Sequence, residues 1–443
     1  MVSPHFPPDS SAAAHRVRLL APHLPRHGWE PTVLTVDPRA YETRLDPDLA
    51  RLVPAHLRVL RARAMPARLT RLVGVGDLGL RALPGLRRAS AALLRRERFD
   101  AVFITTYPTY PALIGPWLKR AFGVPFVLDC QDPWVGAWGR STGGGADGVP
   151  DLKSRLSRAL AVRLERRAAR AADAVTAVSP LIWEEMRARV PEIAGTPCAA
   201  IPLGAEAGDF AALRGRPPRR AYFDPEDGDV HVCSVGTLLP LGIETLRAVL
   251  GGVAALRDGR PELYRRLRLH FFGTSNQTAA EAAPRVLPVA RALGVADRVT
   301  EVAPRVDYLD ALAILTRAGA ILAMGSSEPH YTASRLYPAV LAARPLLAVY
   351  HEASSGAEAL RRIARPPAVR LVTYTDAERA PVRAGAIAAA LSAVLECPAY
   401  DSNAVDVSAL EAVSARAMAG ELSRVLARVV DGSRAVPVSF IRP

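Results

Sequence analysis

The sequence predicts an α/β protein built of two doubly wound parallel sheets that face each other across a cleft. Three observations predict it. Strand-like apolar runs alternate with helical periodicity in two successive series. A polar, proline-rich stretch at 214–229, RGRPPRRAYFDPEDGD, separates the series and reads as a linker. The length of 443 residues exceeds one ordinary domain, while a 50% hydrophobic composition and a mean hydropathy of +0.10 suffice to bury more than one core. Such sheets bind ligands beyond the carboxyl ends of their strands, so loops from both halves are expected to line the cleft.

The first half opens on SPHFPPDSSAAAHR, where Pro4, Pro7 and Pro8 forbid regular structure. Ser10 or Ser11 is placed to cap a helix carrying Val17, Leu20, Ala21 and Leu24 on one face, and Gly28 ends it. Residues 30–37, EPTVLTVD, read as a strand. The strand that should precede the first loop has only Met1 and Val2 to form it. Either these two make a vestigial strand or a native start lies roughly five to ten residues upstream; unpaired neighbours in a central sheet position, at about 1–3 kcal/mol each, favour the second. Residues 49–98 are dense in arginine and broken by prolines and glycines, with one helix expected over 86–98. Its arginines form either a solvated face or a membrane-surface patch. Strands at 100–106, 126–129 and 174–178 then alternate with helices at 111–122, 152–172 and 181–195, and a short strand at 199–202 closes the half. Asp129, Asp132 and Trp134 fall at a strand's carboxyl end and are ligand-facing candidates, although Asp132-Pro133 is equally turn chemistry.

Beyond the linker, strands are expected at 230–235, 267–272, 298–302, 320–324, 346–350 and 369–374, interleaved with helices. The loop after 320–324 concentrates Glu328, His330, Tyr331, Thr332, Ser334 and Arg335 just ahead of a helix N-terminus, whose amides favour anions. Pro338, lacking an N–H, fits the first position of that helix and would leave Tyr337 in the turn. The domains are therefore expected at 1–213 and 230–404, with a helix and tail over 405–443 packing back on the first.

Lysine and arginine number 57 against 43 acids, a net charge of +14 with pI about 10.2, almost all of it arginine; Lys119 and Lys153 are the lysines. An anionic lipid or substrate accounts for this as well as nucleic acid does, and nucleic acid is not expected as a partner. Cys130, Cys198, Cys233 and Cys397 form no CxxC pair and read as buried thiols, without a disulfide or metal framework. With no long apolar run and no signal pattern, the expected location is cytoplasmic, at most peripheral to the inner face of a membrane.

The segments SPHFPPDSSAAAHR, DCQDPW (129–134), ADAVTAVSP (172–180), IPLGAE (201–206), SVGT (234–237), LHFFGTS (269–275) and SRLYPAVLAARPLLAV (334–349), in this order, resemble the family-4-like glycosyltransferases of the two-domain, Rossmann-like GT-B fold. The resemblance implies retaining transfer of a sugar from a nucleotide-sugar such as a UDP- or GDP-sugar to a glycan, lipid-linked or small-molecule acceptor, with no cofactor or essential metal. It implies Glu328 at the donor sugar and the donor on Gly236, Thr237, Gly273, Thr274, Ser275, Tyr331, Thr332, Ser334 and Arg335. Its acceptor side would hold Ser10, Ser11, Tyr107, Asp129, Asp132 and Trp134.

Several positions depart from the family pattern. The second glutamate expected eight residues after Glu328 is Leu336, and the alternative register offers Pro338 or Ala339. The cations expected after the first glycine of the second half correspond to Thr237 and to Leu241 or its neighbours, where no cation stands. Ser10 and Ser11 replace a glycine pair, and the segment from Tyr107 to Tyr110 replaces a histidine. An active transferase and a turnover-impaired binding or scaffold subunit therefore both stand. A nicotinamide-dependent oxidoreductase is disfavoured, since neither half has GxGxxG after its first strand.

Overall fold

The computed structural model describes residues 1–135, 152–214, 219–275, 282–326 and 335–434. They divide into two compact units, Met1–Leu203 together with Arg416 onward, and Gly204–Ala415.

In the first unit β1 (Thr32–Val36) pairs in parallel with β2 (Arg58–Ala62). β3 (Val102–Thr105), β4 (Phe126–Cys130), β5 (Ala174–Ala177) and β6 (Cys198–Ala200) form a second parallel run. Val2 joins the two, bridging Leu34 of β1 and Ile104 of β3. Its N–H donates to Phe103 (2.7 Å) and its carbonyl accepts from Thr105 (3.0 Å), while the adjoining Ser3 N–H and Met1 carbonyl pair with Leu34 (2.9 and 2.8 Å). One residue thus holds the central strand position, and with its two neighbours it pairs backbone groups of Leu34, Phe103 and Thr105. The resulting order is β2, β1, Val2, β3, β4, β5, β6.

Two elements here depart from expectation. β2 lies in the arginine-dense stretch read as irregular; as an edge strand with exposed Arg58 and Arg61, it needs only one covered face and so lacks an apolar run. The helix expected from residue 86 spans Leu78–Arg96, with Asp77 capping the Leu80 amide (2.9 Å) and Pro84 inside. Gly85 lets that helix pass against the chain at Arg63, whose carbonyl oxygen would lie 1.9 Å from a Cβ. The helix Ala415–Arg434 also belongs to this unit: Trp29 Nε1 donates to Ser423 (3.0 Å), and Gly420 lies against His27.

The second unit is a six-stranded parallel sheet in the order β12, β11, β10, β7, β8, β9. These are β7 (Val230–Val235), β8 (Leu267–Phe272), β9 (Val299–Val302), β10 (Ala320–Met324), β11 (Leu346–His351) and β12 (Val369–Tyr374). Near-continuous apolar sequence makes β10 and β11 wholly buried, as a parallel sheet covered on both faces requires. Helices Ile243–Gly259 and Ala384–Glu396 pack in contact because Gly252 has no Cβ; one would stand 2.7 Å from Ile387. Residues 219–229 of the expected linker pack on this unit, with Phe223 stacked on His231 (4.8 Å) and His270 (5.2 Å). Of the cysteines, Cys130 and Cys233 are buried and Cys198 half-buried, but Cys397 is exposed just past a helix end, contrary to expectation.

Candidate functional site

The strand order of the second unit reverses between β7 and β10, and the crevice beyond their carboxyl ends is where a doubly wound sheet takes a ligand. Arg335, next to the helix Leu336–Leu341, fills it. Its Nη1 donates to the Thr237 carbonyl after β7 (3.1 Å) and its Nη2 to the Met324 carbonyl ending β10 (3.1 Å). Gly236 makes the room. Its φ of 122° belongs to the glycine region, and a Cβ there would lie 2.6 Å from Arg335 Nη1. Arg335 Nε is buried and has no partner among the described residues. A guanidinium half-buried at a switch point, with donor capacity unused, suits a phosphate.

The loop after β8 is organised differently from what the sequence suggests. Gly273, Thr274 and Ser275, expected on the donor, are buried. Thr274 donates its hydroxyl to Glu301 (2.5 Å), and the Ser275 N–H is spent on the Ala303 carbonyl (2.9 Å). The Glu301 carboxylate also accepts the amides of Arg285 (2.8 Å), Val286 (3.0 Å) and Leu287 (2.9 Å), occupying the N-terminus of helix Leu287–Ala292. A phosphate is thereby displaced from that helix end by a resident carboxylate. Arg285 itself donates to the Leu238 carbonyl, which brings a second cation to the loop after β7. Sequence reasoning missed it, although its position after β8, the neighbour of β7, signals the same end of the sheet.

Glu328, Tyr331, Thr332 and Ser334 lie outside the described residues. The helix that follows starts at Leu336, with Pro338 still in the first turn, where no N–H is needed. Tyr337 is consequently an interior residue rather than a turn donor, and burial pushes its hydroxyl up to about 12.

In the first unit the expected acceptor-side residues separate into two groups. Asp129 and Trp134 face the interior, which corrects the reading of both as ligand-facing. Asp129 is fully buried, accepting from Arg16 Nε (3.0 Å) and Nη2 (2.6 Å) and from the Thr176 hydroxyl (2.7 Å). Trp134 packs edge-on against Tyr110 (5.9 Å). Asp132 remains exposed. Ser11 does not cap the first helix, Ala14–Leu20; its hydroxyl and N–H both go to Asp9 (2.5 and 3.1 Å). Ser10 does not cap it either, and its N–H pairs with the Arg44 carbonyl (3.3 Å). Asp9 also accepts from His5, whose ring lies 5.9 Å from that of Tyr107. His5 and Asp9 were not singled out from sequence, being a short-spaced pair inside a proline-rich loop.

Residues 11–204 match the family model of the glycosyl transferase 4-like domain. No curated protein matches the chain by sequence. Among solved structures it is similar to Anabaena HepE in complex with UDP, at 14% identity over 96% of this chain and 98% of that one, with a TM-score of 0.59. It is similar also to a glycosyltransferase from Rickettsia africae, at 11% identity over 97% and 98% with a TM-score of 0.56. A third is WaaG, a glycosyltransferase involved in lipopolysaccharide biosynthesis, at 12% identity over 98% and 99% with a TM-score of 0.54. Residues 11–204 thus carry a glycosyl transferase 4-like domain, and over its length the chain shares the GT-B fold of these glycosyltransferases.

Proposed function

We propose that this chain transfers a sugar, with retention, from a nucleotide-sugar held by the second unit to a glycan, lipid-linked or small-molecule acceptor held by the first. The observation that carries the donor assignment is the seating of Arg335 over Gly236 between β7 and β10. A fixed cation there stabilises the charge that develops on the leaving diphosphate, and Arg285 adds a second one nearby. Glu328 takes the donor sugar in this reading. UDP-glucose is the donor probe of choice, since HepE has been crystallised with it. Arg335→Ala should weaken UDP and UDP-glucose binding alike, whereas Glu328→Gln should spare UDP and weaken only UDP-glucose. Unchanged UDP affinity in Arg335→Ala would remove the donor site from this crevice.

The reading as a binding or scaffold subunit draws on two facts. Both Nη groups of Arg335 are engaged by carbonyls, and Leu241, where the family resemblance calls for a cation, is 47% exposed. UDP binding without release of UDP from any nucleotide-sugar would select it.

A lipid-linked acceptor fits the charge of the first unit. Helices Leu78–Arg96, Ile114–Phe122 and Leu152–Ala171 border a groove of about 700 Å³ lined by Trp117 and by Arg87, Arg88, Arg95, Arg120 and Arg167. Arg87 lies over the Trp117 ring at 4.2 Å, and none of the five arginines has an acidic partner among the described residues. Unpaired arginines around an apolar floor suit anionic headgroups at a membrane surface. No helix among the described residues is long and apolar enough to cross a membrane, so the proposed attachment is peripheral, at the inner face of a cytoplasmic membrane.

A further inference from the structure

The loop after β7, GTLLPLG at 236–242, carries no charge of its own, yet two arginines from elsewhere in the second unit close on it. Arg335 reaches the Thr237 carbonyl from the side of β10, to whose last carbonyl, that of Met324, it also donates. Arg285 reaches the next carbonyl, that of Leu238, from the side of β8; the Leu238 N–H donates to the Thr274 carbonyl just after that strand (2.9 Å). Adjacent Cα atoms lie about 3.8 Å apart, so the two guanidinium groups grip one short stretch of backbone from opposite edges. Each keeps donors in reserve. Arg335 Nε is buried without a partner among the described residues, and the half-buried Arg285 engages only its Nη1 among them.

The aim of Arg285 is set by Glu301, on β9. The amides of Arg285 and of the two residues after it converge on that carboxylate, Oε1 accepting from Arg285 (2.8 Å) and Oε2 from Val286 (3.0 Å) and Leu287 (2.9 Å). Thr274, whose carbonyl holds Leu238, donates its hydroxyl to the same Oε1 (2.5 Å). One carboxylate thereby ties the end of β8 to the backbone of Arg285, and through Thr274 to the loop after β7. A glutamine could not replace it, since its single carbonyl oxygen accepts while its NH2 would face amide donors. Glu301 also brings its own charge to these amides, so an incoming anion finds its cation in the Arg285 side chain instead.

We propose that Arg285 and Arg335 divide one diphosphate between them, each taking a different phosphoryl group, and that Glu301 is the residue that positions Arg285 to do so. The inference rests on the donor site proposed above and deepens it: the ligand class is a nucleoside diphosphate or its sugar ester rather than a monophosphate. A guanidinium offers phosphate oxygens a fork of N–H donors. Two such forks at the opposite edges of one loop match the two phosphoryl groups of a diphosphate laid over it, and the charge absent from Thr237 and Leu241 comes from the segments on either side.

Calorimetric titration of the full chain with UDP, UMP and inorganic pyrophosphate tests this. Wild type should bind UDP at least about ten-fold tighter than UMP. Arg285→Ala and Arg335→Ala should each weaken UDP and pyrophosphate about ten-fold or more, the worth of a charge-assisted hydrogen bond, and one of the two alone should leave UMP within about two-fold of wild type. Glu301→Gln should weaken UDP several-fold in the wild-type chain and hardly at all in Arg285→Ala; a residue that only maintains the fold would cost the same in both. An Arg285→Ala chain with wild-type UDP affinity, beside an Arg335→Ala chain that has lost it, overturns the proposal and leaves the donor site at Arg335 standing. Wild-type UDP affinity in Arg335→Ala, or no UDP binding at all, removes that site and the proposal with it. UMP as tight as UDP, or UMP spared by both variants or weakened by both, overturns the division of the phosphoryl groups, and an equal cost of Glu301→Gln in the two backgrounds overturns its positioning role.

Discussion

Arg16 and Asp129 meet inside the first unit with no exposure on either side chain, two guanidinium nitrogens on the two carboxylate oxygens at 3.0 and 2.6 Å. Arg16 also donates to the Ile201 carbonyl (2.6 Å), so one side chain ties the first helix to the end of β4 and to the segment after β6. A desolvated pair of this kind adds little over an apolar pair of the same shape, but a lone survivor is a buried, uncompensated charge.

Asp129→Ala should therefore destabilise the first unit by about 3–5 kcal/mol, measured by denaturant unfolding. Replacing both partners with leucine and methionine should recover much of the loss. If Asp129→Ala leaves stability unchanged and alters only activity, the residue faces a ligand after all.

In the second unit a chain of hydrogen bonds runs Thr300, His270, His231, Asp227, at 2.6, 2.8 and 2.9 Å. With Asp227 ionised and His270 neutral, each ring nitrogen in the chain has a partner, so neither imidazole is left with an unsatisfied buried group. Burial, then His231 and Arg268, push His270 down to about 4 from 6.5. The unfolded chain thus binds a proton between these values that the folded chain refuses. Stability from this group is complete above pH 6.5 and declines as pH falls toward 4, by at most about 3 kcal/mol. A His270→Gln chain should lose that acid slope in thermal unfolding; an unchanged slope would place its origin elsewhere.

Gly236→Ala should act on nucleotide binding through Arg335. At a φ of 122° an alanine is strained, and its Cβ occupies the space of the guanidinium. We expect UDP affinity to fall about ten-fold or more, the worth of a charge-assisted hydrogen bond. Gly236→Ala combined with Arg335→Ala should bind UDP no worse than Arg335→Ala alone. Additive losses in that cycle would mean that the two residues act independently.

The alternation of apolar runs made both sheets legible, because buried parallel strands such as β10 and β11 are apolar throughout. β2 was not, since an edge strand shares its arginines with the surface. Motif position singled out Arg335 and Gly236, which the fold brings into contact. It failed for Asp129 and Thr274, whose polar side chains sit at strand ends, as ligand-facing residues do, yet turn inward to Arg16 and Glu301. The direction of a side chain at a strand end depends on partners far away in sequence, and spacing carries no record of them. His5 and Asp9 escaped notice for the same reason: their partners Tyr41, Thr43 and Tyr107 come from separate segments brought together by the fold.

The arginine groove of the first unit yields the last prediction. Five guanidinium groups without acidic partners around Trp117 should bind anionic vesicles with a steep dependence on salt, since about 1 kcal/mol per arginine is gained from headgroup charge and is screened beyond about 8 Å at physiological ionic strength. Replacing Arg87, Arg120 and Arg167 together by alanine should lower co-sedimentation with phosphatidylglycerol vesicles by about 100-fold, while Trp117→Ala should lower binding with little change in salt slope. Neutral vesicles should recover almost none of the protein. Equal recovery on neutral and anionic vesicles, or full binding by the triple variant, would return these arginines to the role of an ordinary solvated face and leave the acceptor to be sought among soluble glycans.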